Sequence, residues 1–122
     1  AMNKSKEIFR KISRHLLTQN ERSMVEEDCF YRQPETGLSC AIGCLIDNDH
    51  YSVSLEGQTA HELPVQKAIS DSLGFELAYE EIRILMDLQN LHDYHPPTEW
   101  VKQLDLLADE WFNETLEELG IS

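Results

Sequence analysis

Apolar residues recur at helical spacing near both ends of this chain and lose that spacing in between. Ile8, Phe9, Ile12 and Leu16 stand three and four residues apart, which places them on one stripe of a helix over about 5–19. Ser5 is its expected cap and Asn20 its stop, with Lys6, Arg10, Lys11 and Arg14 on the remaining circumference. Past Asp28 the pattern changes. Cys29-Phe30-Tyr31-Arg32 is strand-like, Pro34-Glu35-Thr36-Gly37 has turn chemistry and Leu38-Ser39-Cys40 returns, so a short β-hairpin is predicted over 29–40. Cys40 to Ile46 is apolar on every side, which predicts a short buried helix stopped by Asp47-Asn48-Asp49. Gly43 costs this helix about 1 kcal/mol relative to Ala, so its presence points to close approach of another backbone.

Tyr51 to Gly57 reads as a turn-rich connection. Thr59-Ala60-His61-Glu62 has capping-box form and predicts a helix carrying Val65, Ala68, Ile69 and Leu73, its first turn limited by Pro64 and its end set by Gly74. A further helix is predicted over 78–92, with Ile82, Leu85, Met86 and Leu88 or Gln89 inward, before Pro96-Pro97 forbids continuation. Thr98 then caps the longest predicted helix, 99–119, whose stripe is Trp100, Leu104, Leu107, Ala108, Trp111, Phe112 and Leu116. The expected fold is mostly α (α+β): four longer helices and a short buried one, with a two-stranded hairpin near residues 29–40, in one domain spanning 1–122. The expected core is Ile8, Phe9, Ile12, Leu16, Cys40, Ile42, Cys44, Leu45, Ile69, Leu73, Ile82, Leu85, Leu104, Leu107 and Trp111.

Charge narrows the function. The 122 residues hold 23 acids against 10 Lys and Arg, a formal charge of −13. Residues 1–32 carry seven bases and five acids, whereas residues 33–122 carry only Lys67, Arg83 and Lys102 against 18 acids. Such a balance repels nucleic acid and anionic membrane and attracts a partner with a basic surface. The longest largely apolar run, Leu38 to Ile46, is far shorter than the roughly 20 residues of a membrane-spanning helix. No signal peptide is expected, and Ala1 ahead of Met2 reads as a cloning remnant. Three cysteines fit a secreted disulfide framework poorly and point to a reducing cytoplasm.

The segment Leu38-Ser39-Cys40-Ala41-Ile42-Gly43-Cys44-Leu45-Ile46 resembles a family of small bacterial and phage-encoded proteins with a Cys-Ala-x-Gly-Cys-Leu-Ile core. Tyr51, Leu55-Glu56-Gly57, Leu88-Gln89-Asn90-Leu91-His92-Asp93 and Trp100 continue the resemblance over most of residues 8–112. No activity attaches to that family, so the resemblance implies a fold and a phage or prophage setting rather than a mechanism.

Three constellations carry candidate chemistry. Cys29, Cys40 and Cys44, with His15, His61 or His92, have the residue types of a zinc site, but Cys-x3-Cys is not the usual knuckle spacing and cysteine is often plain core. No metal or other cofactor is therefore expected. Cys40 could act as a helix-terminal nucleophile with His61 or His92 as base, oriented by Asp93 or Glu62, yet its apolar neighbours suggest burial and an inert thiol. His92-Asp93 could be a dyad; the plainer reading has Asp93 taking loop N–H groups and His92 packing against Trp100. No phosphate loop, nucleophile elbow or His-Glu-x-x-His motif occurs.

The preferred reading is a small acidic, non-catalytic binder of another protein, of the kind a phage would use against host nucleic-acid-handling or defence machinery by mimicking DNA charge. Its expected contact face is Asp105, Asp109, Glu110, Glu114, Glu117 and Glu118 on the last helix, where like charges at i,i+4 oppose the helix's own stability.

Overall fold

A computed structural model describes residues 3–26 and 28–121; Ala1, read above as a cloning remnant, lies outside them with Met2, Glu27 and Ser122. Asn3, not Ser5, opens the first helix by accepting the Lys6 N–H through its side chain, and α1 runs Lys4–Gln19. Ser5 is buried inside its first turn and donates to the Glu81 carboxylate. Asn20 stops the helix in the left-handed region at φ 53, as the sequence indicated.

The hairpin exists, but earlier in the chain than 29–40. β1 (Met24–Val25) pairs antiparallel with β2 (Asp28–Cys29), Met24 opposite Cys29, and Glu26 at φ 58 opens the turn. The Pro34–Gly37 turn does form, with Gly37 N–H donating to Gln33 O and Gln33 N–H to Leu38 O. The strand before it cannot enter a ladder because the Tyr31 and Arg32 N–H groups are taken at 2.8 and 3.2 Å by the two Glu56 carboxylate oxygens. A side chain 24 or 25 residues ahead thus replaces a neighbouring strand.

Residues 40–46 form the expected buried turn, reduced to a 3-10 helix at Gly43–Leu45. Its glycine has the close neighbour the sequence implied: a Cβ on Gly43 would lie 2.1 Å from the Tyr31 carbonyl oxygen. α2 spans Leu63–Leu73, beginning after Glu62 with Pro64 in its first turn and ending at Gly74. Thr59 therefore caps only the tight turn before it, accepting the His61 N–H, because proline is well suited to a first helical turn and not to a position deeper inside.

α3 spans Tyr79–Tyr94, and Glu81 accepts the Ala78 N–H in half of a capping box. Its inward stripe is Ile84, Leu85, Leu88, Leu91 and His92, one step out of phase with the expected Ile82 and Met86. A 3-10 turn at Pro97–Glu99 carries Thr98, which makes no cap, and α4 spans only Trp100–Phe112. Asn113 in the left-handed conformation ends α4, well short of 119. Thr115 and Glu118 then form a reciprocal capping box, each side chain accepting the other's backbone N–H, and this starts a separate closing turn ended by Gly120.

α1 packs on α3 and α4, and the 40–46 turn packs on α1 and α2. Ile8, Phe9, Ile12, Leu16, Cys40, Ile42, Leu45, Ile69, Leu85 and Leu104 are buried as expected. Cys44, Leu73, Ile82, Leu107 and Trp111 stand half-buried at the edge, and Ile84, Leu88, Trp100 and Ala108 occupy the interior instead. Three α1 cations clasp the closing segment: Lys6 pairs with Glu114 at 3.2 Å, Arg10 donates to Leu119 O and Arg14 to Gly120 O. No described helix is long and apolar enough to cross a membrane.

Candidate functional site

β2, the 40–46 turn and the end of α3 meet at one polar hub. Cys29 Sγ, a His92 ring nitrogen and an Asp93 carboxylate oxygen lie within 4.8 Å of one another. Gln89, one helical turn before Asp93, connects them. Its amide nitrogen donates to Cys29 Sγ at 2.9 Å and to Asp93 Oδ1 at 2.8 Å, while its carbonyl accepts the Ile42 N–H at 3.0 Å. His92 has no exposed surface and stacks on Trp100, as the plainer sequence reading held. Asp93 takes side-chain donors rather than the loop N–H groups expected of it.

The ring's tautomer follows from its partners. Ser23 N–H can only donate, and it points at His92 Nε2 at 3.0 Å; Nδ1, 2.8 Å from Asp93 Oδ1, therefore carries the proton. Burial opposes charge on this ring, while Asp93 and Cys29 favour it and on balance raise its proton affinity. A second proton could enter only at Nε2, head-on against the Ser23 N–H, so the ring stands neutral.

This arrangement fits neither metal nor triad chemistry. A metal at Nδ1 would move the proton to Nε2 and displace the Gln89 amide nitrogen, which sits between the sulfur and the carboxylate where a cation would go. A Cys-His-Asp relay needs thiol and carboxylate on opposite ring nitrogens, and here Nε2 serves Ser23. The cysteine set weighed for zinc divides: the Cys29 and Cys40 thiols face each other, whereas Cys44 donates to Ala41 O and lines a different cleft. Cys40, the weighed nucleophile, is wholly buried and accepts the Gly43 N–H; His61 is exposed, as is Glu62. His15 is turned to Ser39 O.

The thiols are set for inertness. The Cys40 hydrogen bond and burial push the Cys29 thiol well above its ordinary range, and burial pushes Cys44 up to about 12. Unfolded thiols ionise near pH 9 and these two do not, so stability is full below pH 9 and falls as pH rises towards 12. The expected slope is up to about 1.4 kcal/mol per pH unit per thiol. Urea unfolding at pH 7, 9 and 10 should show the decline, made shallower by Cys44→Ala but not removed, because burial also raises the Tyr31 and Tyr51 hydroxyls. A flat profile across that range would contradict the assignment.

The acidic residues expected on one helix are divided between two elements. Asp105, Asp109 and Glu110 lie on α4; Glu114, Glu117 and Glu118 follow it. Three have structural partners: Asp105 accepts the Leu116 N–H, Glu114 pairs with Lys6 and Glu118 accepts the Thr115 N–H. Among the described residues no side-chain bond engages Asp109, Glu110 or Glu117, all exposed. The same outer face of α4 carries Val101 and Leu106, 59% and 55% exposed, which the stripe analysis did not single out. Their signal was present as apolar positions off the inward stripe. Compared with family models, curated proteins and solved structures, the chain matches none.

Proposed function

We infer that the chain is a non-catalytic protein that binds a basic surface on another protein through the outer face of α4. The observation that carries this reading is the placement of an exposed apolar residue, Leu106, three and four positions from Asp109 and Glu110, whose carboxylates make no bond among the described residues. Acids alone solvate a helix; apolar residues among them add desolvation energy that a docking face uses. The α1 cations Lys6, Arg10 and Arg14 are turned onto the closing segment, so Lys102 is the cation left on α4 to offset this charge. The resemblance to phage-encoded proteins supports a host nucleic-acid-handling or defence complex in the bacterial cytoplasm as the partner class, with the carboxylates standing for backbone phosphates and the protein acting as its inhibitor. Chemistry at Cys40 has no comparable support, since its sulfur is buried.

The test is affinity capture from a bacterial host extract with wild type and with a Leu106→Asn, Asp109→Asn, Glu110→Gln variant. The expected result is a basic captured protein whose affinity falls at least about tenfold in the variant, about 1.4 kcal/mol, with the gap widest at low salt. Equal capture by both proteins at every salt concentration would overturn the reading.

A further inference from the structure

Two clefts flank the buried 40–46 turn, and they differ in charge. One, beside the Cys29 hub, is lined by Asp28, Glu56 and Asp93. The other, about 560 Å³, has no aspartate or glutamate in its wall, although the chain carries 23 of them. Its cation is Arg32. The guanidinium lies 4.5 Å above the Tyr51 ring and donates to Asn48 Oδ1 at 2.7 Å and Ile46 O at 2.6 Å. Both acceptors are neutral, and Arg32 has no carboxylate partner among the described residues. Two of its five N–H groups are thus spent, and the neighbouring carboxylate, Glu56, is engaged instead by the Tyr31 and Arg32 backbone N–H groups and the Tyr51 hydroxyl.

The rest of the wall is chemically consistent with an anion. His15 donates Nε2–H to Ser39 O, so its ring brings no charge that would repel an anion. Gln33, Pro34 and Gly37 complete this wall without adding charge. We propose that this cleft binds a small ligand through an oxyanion group, carboxylate or phosphate, held by the Arg32 guanidinium. A charge-assisted bond to a guanidinium is the strong kind, and the acid-free wall keeps it from being cancelled locally.

The test is an amide NMR titration of the full chain with inorganic phosphate and, separately, citrate, each against chloride at matched ionic strength. Saturable shifts at Gly37, Ser39 and Gly43 are expected. Saturation by phosphate alone assigns a phosphate ligand, by citrate alone a carboxylate one, and by both an oxyanion site open to either. Arg32→Gln should weaken binding at least tenfold. Because Arg32 also holds the 46–48 backbone, Leu38→Glu at the half-buried rim serves as the second variant: it leaves those bonds intact and should weaken binding similarly by charge repulsion. Absence of saturable shifts with both probes, or unchanged affinity in Leu38→Glu, would overturn the proposal.

Discussion

Replacing Gly43 by alanine is expected to lower stability by about 3 kcal/mol, the upper part of the overpacking range, and the thermal midpoint by about 10 °C. A Cβ there would meet the Tyr31 backbone on three atoms, oxygen at 2.1 Å, carbonyl carbon at 2.7 Å and Cα at 2.8 Å. Backbone cannot swing aside like the end of a long side chain, and Tyr31 is pinned by its N–H to Glu56 and its hydroxyl to Gln58 O. Relief would require moving the 31–32 segment away from the core. Gly37→Ala is the control. That position has φ 75 and open space, so it should lose only the left-handed penalty, about 1 to 2 kcal/mol. Thermal unfolding followed by circular dichroism measures both, and equal losses would show that the close approach does not govern stability.

That contact was legible in advance because glycine inside an all-apolar segment has few other uses. The α1 stripe was legible for a similar reason: four apolar residues at helical spacing admit one face. The hairpin was not, because the competing partner of the Tyr31 and Arg32 N–H groups is a carboxylate at Glu56, and no local rule announces a side chain that substitutes for a strand. The length of α4 misled for another reason. The apolar stripe continues to Leu116, but Asn113 and the Thr115–Glu118 box interrupt it, and backbone conformation at those residues outweighs periodicity. Thr98 and Thr59 show the converse: cap-forming residues that cap turns or nothing.

His92→Phe should cost about 2 to 3 kcal/mol, since burial leaves the orphaned Ser23 N–H no water to turn to. Phenylalanine preserves the stack on Trp100, where the ring centroids are 5.7 Å apart, so the loss isolates the two polar bonds. Ser23 N–H would lose its acceptor and Asp93 its imidazole donor, leaving Asp93 Oδ1 with only the Gln89 amide among its side-chain partners. Urea unfolding at pH 7 measures the change, and a difference under about 0.5 kcal/mol, the scale of surface substitutions, would contradict a structural role for the hub. Zinc added in slight excess should leave the wild-type midpoint where it is. A zinc-dependent rise would mean that metal displaces the Gln89 amide after all. Only part of this hub could be read from sequence: the His92–Trp100 stack followed from helix-end proximity, whereas Gln89 as the bridge depends on three elements meeting.

The clasp between α1 and the closing turn joins groups as far as 109 positions apart. Loop closure grows so slowly with length that each doubling adds only about 0.6 kcal/mol, so the clasp is thermodynamically cheap. Its cost is in time. Ile8, Phe9, Ile12 and Leu16 leave a ribosome ahead of α3 and α4, which supply their cover. At about 5–20 residues per second, roughly 5–20 s pass before the last of that cover is synthesised. Throughout that interval an uncovered apolar stripe is borne by the most basic helix of the chain. Lys6, Arg10, Lys11 and Arg14 then act as solubilising charge for a nascent segment before three of them become the fasteners of the finished fold.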